Sequence, residues 1–405
     1  MSLDLRTGRP VWAINKPQIA RHRKLQQDIR SDVVVIGGGI SGALIAHRLA
    51  NLGMQVTIVE GRKIGAGSTA ASTAILSYEA DVNLGDLIKK FGRRTAVRAY
   101  RAGVEAIDSI GRTVKTLDDP CDFRKRRSLY LASNRKDVRL LEREFKTRQG
   151  NGFDVQLLQK EELSRRFSLD APCAILNEQA AEVNPLKLTL ALVRSGQKKG
   201  LKVFIHTKVT TYRREGGESV LTTEDNSQIR AKHVVFATGY ETQQFLKQRT
   251  VRLVSTYAIA TTPRVVFPAN YEHPVIWETA RPYLYVRTTA DSRIVVGGED
   301  VEFVDEKRRD RLLPGKTRVL DKKARKMFPH LAWNLATAWT GTFAESRDGL
   351  PYIGPHKLYT GAQFALGYGG NGITFAAIAS RIIPDLISNK KNSDAYIFRF
   401  GRRSK

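Results

Sequence analysis

The chain of 405 residues holds only two cysteines, Cys121 and Cys173. A disulfide scaffold is therefore excluded, and a reducing compartment, the cytoplasm, is the expectation. No apolar run approaches the roughly 20 residues that a membrane span requires. The first residues carry Asp4, Arg6 and Arg9 without an apolar stretch, so they do not read as a secretory signal. Seven histidines are scattered along the chain. None shows metal-ligand spacing, so no metal is expected. Acidic residues are scarce: 40 Asp and Glu stand against 67 Lys and Arg, a net charge of +27. The excess sits in residues 1–31, 89–148, 306–326 and 390–405, and the remainder is neutral. Such segments fit either docking on a polyanion (nucleic acid or an anionic membrane surface) or an ordinary solvated surface. Aromatics are not interleaved as a base-stacking platform needs, which favours the plain surface.

The neutral part carries the chemistry. Asp32-Val-Val-Val-Ile-Gly37-Gly38-Gly39-Ile40-Ser41-Gly42 reads as a strand, a tight turn and a helix start. Gln55 to Glu60 reads as a second strand ending on an acid. Gly37, Gly39 and Gly42 stand at G-x-G-x-x-G spacing. The first allows a sharp turn, the second a close approach to a pyrophosphate, the third a close helix-to-strand packing. Amides at the helix start, where Ser41 lies, face the phosphates. Glu60 stands where an acid binds ribose hydroxyls. A dinucleotide site is expected.

Residues 65–74 are a run of small side chains, Gly65-Ala-Gly67-Ser68-Thr69-Ala-Ala-Ser72-Thr73-Ala74, which lets backbone come close to something bulky. Val97, Tyr100, Val104, Ile107, Ile110 and Val114 recur at helical steps. Residues 137–149 alternate in charge and read as an exposed helix. Strands are expected at 128–133, 202–209, 231–239, 253–261, 283–287 and 293–297. A basic helix is expected over 306–327, broken near Pro314-Gly315, and another from Ile373 to about Ile387. Trp12 is expected to pack on the body. This order predicts α/β plus β-rich architecture: a Rossmann-like nucleotide domain built from separated segments, with an inserted mixed β-sheet domain. The expected division is an N-terminal arm (1–31), a nucleotide domain (32–85, 180–250, 335–390), a substrate domain (86–179, 251–334) and a basic tail (391–405).

Several motifs together resemble the D-amino-acid-oxidase-like (DAO) superfamily of FAD-dependent oxidoreductases, which includes glycine, sarcosine and γ-glutamylputrescine oxidases. They are Asp32 to Gly42 with Glu60, the run 65–74, Val203 to Val209, Val234 to Gly239, Asp348-Gly-Leu-Pro-Tyr-Ile-Gly354 and Ala365 to Thr374. The resemblance implies FAD, with Gly37, Gly39, Ser41 and Gly42 at the pyrophosphate and Glu60 at the adenosine ribose. Ser68 and Thr69 would lie near the phosphates and flavin, Val209 at the adenine and Gly239 beside the cofactor. Gly370, Asn371, Gly372, Ile373 and Thr374 would aim a helix start at the flavin's C2 carbonyl. Attachment would be non-covalent: segment 65–76 has no histidine and the C-terminal half no cysteine. Where glycine-oxidase-like enzymes place a carboxylate-binding arginine, this chain has Phe343. Where sarcosine oxidases carry histidine and lysine, it has Asn371 and Thr374.

The implied reaction is oxidation of an amine or amino acid at its C–N bond by hydride transfer to flavin N5, with O2 or a carrier as electron acceptor. Tyr257, Arg281, Tyr283 and Tyr285 are the expected substrate-side residues, with Arg287 on the same face. Glu79 is expected to hold a cationic amine. Alternatives are an FAD-dependent tRNA-modification enzyme, or a flavoprotein docked on a polyanion or membrane. Basic segments clustered round the flavin mouth would favour the tRNA reading.

Overall fold

A computed structural model describes residues 6–14, 21–246, 251–269, 271–303 and 305–402. Parts of the expected arm and basic tail lie outside these residues. Two sheets organise the chain. The first centres on Ile29–Ile36, which runs parallel to Val56–Val59 on one side and to Gln228–Phe236 on the other. Lys202–Phe204 and Ala362–Leu366 extend it in parallel. Val33, Val34 and Val35 are fully buried, as a parallel strand covered on both faces requires. Helices Ile40–Asn51, Pro185–Gln197 and Gly372–Ile387 pack together on this sheet. The nucleotide-type sheet is thus drawn from distant segments, as expected.

The second sheet has ten strands among the described residues. Leu335–Ser346 pairs with Val251–Thr261 along nearly its whole length, and Ile294–Val301, Leu284–Thr288 and Val275–Glu278 follow in order. So 335–346, grouped by sequence with the nucleotide segments, belongs to this sheet. Arg6–Gly8 adds to its edge beside Leu335–Ser346. The described part of the arm, residues 6–14, is therefore built in, with Trp12 only 5% exposed.

Three further expectations change. The helix Glu306–Met327 runs on through Pro314. Leu320 and Ala324 anchor it on the second sheet's core, which outweighs one missing hydrogen bond. The segment 202–209 is two strands, Lys202–Phe204 and Val209–Glu215, separated by a turn with His206 at φ 51°. The helix Val138–Gln149 is not wholly solvated, because Glu144 and Arg148 are buried.

Candidate active site

The glycine turn is built by contact. Gly37 has φ +110°, and a Cβ there would lie 2.4 Å from the Ala237 carbonyl oxygen. A Cβ on Gly42 would lie 1.9 Å from the Gly37 carbonyl oxygen, so only glycine lets the helix close on its strand. A Cβ on Gly39 would meet Thr69 Oγ1 at 3.1 Å. That hydroxyl oxygen already accepts from the Ile40 amide at 2.9 Å. Glu60 ties the turn to the second strand: its two oxygens accept from the Gly38 and Arg62 amides, each at 2.7 Å. Burial pushes its pKa up, against the pull of those two amides.

From this cradle a cavity of about 1160 Å³ extends to the second sheet. Ordinary small-ligand sites span about 300–1,000 Å³, so there is room for something long. The run Ala66 to Ala74 (Ala70 apart), Val209 and Gly369 to Ile373 line it. Thr256, Tyr283, Tyr285, Asp300 and Phe343 line the wall on the second sheet. Tyr285 shares a hydrogen bond with Thr256 Oγ1 at 3.1 Å, and its ring stands beside Tyr283. Asp81 accepts from the Gly370 amide at 2.8 Å. Burial raises both Asp81 and Asp300 to about 6; Glu345 pushes both further up and Asp81 pushes Asp300, while Arg281 pulls both down.

The DAO family profile, FAD dependent oxidoreductase, matches residues 32–386. This chain belongs to the DAO family of FAD-dependent oxidoreductases. It is 26% identical over 400 residues to gamma-glutamylputrescine oxidoreductase of Escherichia coli, covering 93% of this chain and 88% of that protein. It is 28% identical over 386 residues to glycine oxidase of Bacillus subtilis, covering 92% and 97%. Among solved structures, glycine oxidase from Geobacillus kaustophilus superposes with a TM-score of 0.76 at 21% identity, covering 92% of this chain and 99% of that one. L-amino acid deaminase from Proteus vulgaris gives 0.77 at 16% identity, covering 95% and 100%, which shows a shared fold.

The residues present fit an FAD. The glycine cradle admits no side chain at Gly42. Ser68 Oγ, on the cavity wall, and Thr374 Oγ1 are buried hydroxyls without a protein partner. Each such orphan costs about 1–3 kcal/mol unless something else bonds it. Of the residues expected at the cofactor, Gly37, Gly39, Ser41, Glu60, Ser68, Thr69, Val209, Gly239, Gly370, Asn371, Gly372 and Ile373 line the cavity. Gly42 lies beneath the turn, and Thr374 is buried at 1% exposure, outside the lining.

The substrate side needs correction. Tyr257 faces away from the cavity, packed in the core under Glu306–Met327, and its hydroxyl donates to the Arg309 carbonyl at 3.2 Å. Strand alternation turns its neighbour Thr256 inward instead. Arg287 spends its Nη1 on the Thr73, Ala74 and Val183 carbonyls at 3.2, 2.9 and 2.9 Å. Glu79 touches the cavity but is committed elsewhere: Arg148 donates to it at 2.7 Å, Asn177 at 2.8 Å, and Ser77 as well. It is a structural anion, not a free amine anchor. Arg281, Tyr283 and Tyr285 do line the cavity, with Arg281 over the Tyr283 ring.

Sequence reasoning missed Asp81, Asp300 and Thr256. One signal was available in Gly297-Gly298, which sits opposite the tyrosine strand. A Cβ on Gly297 would lie 2.1 Å from the Tyr285 ring, so this glycine lets the ring lie flat on the sheet. Gly297→Ala is therefore expected to displace Tyr285 and lower kcat/KM by about 10–100-fold, with FAD content unchanged, since small misplacements cost on that scale. Steady-state kinetics on the flavin-loaded variant check it.

Proposed function

We propose that this enzyme oxidises the C–N bond of an amine that binds as a cation, with FAD held non-covalently. The observation that carries the reading is Asp300. Its Oδ1 is buried without a partner, on the same wall as Tyr283 and Tyr285. Asp81 stands near enough to raise its pKa. The carboxylate-binding alternative has less support. Phe343 fills the place of the expected arginine, Arg252 is paired with Glu302 and Glu345 at 2.5 and 2.8 Å, and Arg281, the lining cation a carboxylate would have to use, lies over the Tyr283 ring where it also acts on Asp81 and Asp300. The names of the relatives span both choices, gamma-glutamylputrescine and glycine.

FAD, when bound, supplies the hydride acceptor. The protein's own groups orient and select. Asp81 and Asp300 attract the ammonium, the two phenols offer hydrogen bonds, and the Phe343 ring displaces water. Burial raises both tyrosines, so their hydroxyls stay protonated at neutral pH. Among the described residues, Arg62, Lys208, Arg252 and Arg281 are the lining cations, and none comes from 89–148 or 306–326. That distribution supports a docking or solvated role for the basic segments over RNA as substrate. O2 or a carrier remains the acceptor we propose, and the two free, buried thiols support a cytoplasmic setting.

Anaerobic bleaching of the flavin by amines, amino acids and RNA tests this reading. Amines should bleach it; bleaching by amino acids or RNA alone would reject the reading. The pH dependence has a definite sign. Asp81 and Asp300 have folded pKa values near 6, above their ordinary range. They stabilise the fold only while protonated, and that contribution is lost as pH rises through about 6. Capture of a cation gains over the same interval. The apparent second-order bleaching rate should therefore rise through pH 6, and Asp300→Asn should lower its plateau about tenfold or more.

A further inference from the structure

We propose that the N-terminal arm is part of the cofactor grip, with Arg6 and Trp12 as positioning residues for the small-residue run. The inference rests on the family's FAD and not on the substrate reading. The run lines the cavity from Ala66 to Ile75, Ala70 apart. The carbonyl oxygens of Ala66 and of Ala71 to Ala74 are taken by donors that do not line the cavity, while those of Gly67, Ser68 and Thr69 accept from amides within the run. Arg6 Nε donates to the Ala66 carbonyl at 2.9 Å. Trp339 Nε1 donates to Ala71 at 2.8 Å and Trp12 Nε1 to Ser72 at 2.7 Å. Arg287 takes Thr73 and Ala74, and its guanidinium lies over the Trp12 ring at 5.2 Å.

The chemistry explains why such donors are needed. A chain of Gly, Ala, Ser and Thr has almost no side-chain packing of its own to hold one conformation. A carbonyl oxygen turned towards a pyrophosphate would repel it. Two indoles and two guanidiniums hold these oxygens on the far side and leave the unpartnered Ser68 hydroxyl on the cavity side. Ordering the run before the ligand arrives removes that cost from binding. Arg6 and Trp12 reach it only because Arg6–Gly8 is pinned to the edge of the second sheet.

Two variants test the grip in the full-length protein. Trp12→Phe keeps a ring and removes the N–H; Arg6→Met keeps the stem and removes the donor. The dissociation constant of FAD from folded apoprotein is measured by flavin fluorescence, and the apoprotein's urea midpoint is measured alongside. The expected result is a rise in the dissociation constant on the order of tenfold in each variant, the worth of one net hydrogen bond. A purely structural role would lower the midpoint and leave the dissociation constant unchanged. That result in both variants overturns the proposal. If one variant does not fold, the other decides. The wild-type constant, measured in parallel, reports separately on whether FAD binds at all.

Discussion

Gly42→Ala should yield a protein that purifies colourless. The added Cβ would lie 1.9 Å from a backbone oxygen and 3.1 Å from the Gly37 carbonyl carbon. Backbone must move, and the atoms that must move are those of the phosphate turn itself. Overpacking of this kind costs about 1–3 kcal/mol, so FAD affinity should fall roughly a hundredfold or more at the upper end. Gly38→Ala is the control. Its Cβ would meet Ile64 Cδ1 at 2.4 Å, the end of a side chain that can rotate away, and Glu60 Cβ and Cγ at 3.1 and 3.3 Å, where a side chain rather than backbone must give by a few tenths of an ångström. It should lose far less FAD. Equal losses in the two variants would show that the helix-to-strand contact is not what makes Gly42 necessary. Absorbance at the flavin bands against protein concentration, followed by titration with FAD, measures both.

Arg148→Met should destabilise the fold by about 3–5 kcal/mol, the cost of leaving buried charge unpaired. Arg148 is fully buried between Glu79 and Glu144, at 2.7 Å from each. Glu144 also accepts the Leu84 and Gly85 amides at 2.8 and 3.1 Å, capping the start of the helix Leu84–Phe91. The Glu79 backbone carbonyl receives the Asn371 side-chain amide at 2.8 Å. One arginine thus supports the segment that faces the C-terminal glycine loop. Adding Glu79→Gln and Glu144→Gln to Arg148→Met removes the stranded charges and should recover much of the loss. Urea denaturation of the three proteins checks the order. A single variant within about 1 kcal/mol of wild type would sink the argument.

The β-α-β start was legible because everything it needs is local: three glycines, a β-branched strand and an acid at the end of the next strand. The C-terminal glycine loop was legible for the same reason. The substrate wall was not. Tyr257 and Thr256 are neighbours, and which of them turns inward depends on which face the helix Glu306–Met327 covers. Periodicity states that faces alternate and is silent on which one is wet. Glu79 and Arg148 are 69 residues apart, and their pairing follows from tertiary packing alone. The charges of 137–149 looked solvated at helical spacing because a buried ion pair leaves the same pattern as an exposed one. Asp300 stands in an ordinary strand, and only its unpaired oxygen in the cavity marks it.

The parallel pairing of Ile29–Ile36 with Gln228–Phe236 has a bearing on biogenesis. The first strand of the nucleotide sheet leaves the ribosome long before its partner, and Ala362–Leu366 and the helix Gly372–Ile387 come later still. Closing such distant pairs is slow. A nascent chain carries the glycine turn early but cannot complete the binding site until residues 362–387 have been made. Cofactor capture therefore follows synthesis of that segment, and a chain released short of the helix Gly372–Ile387 lacks one wall of the site.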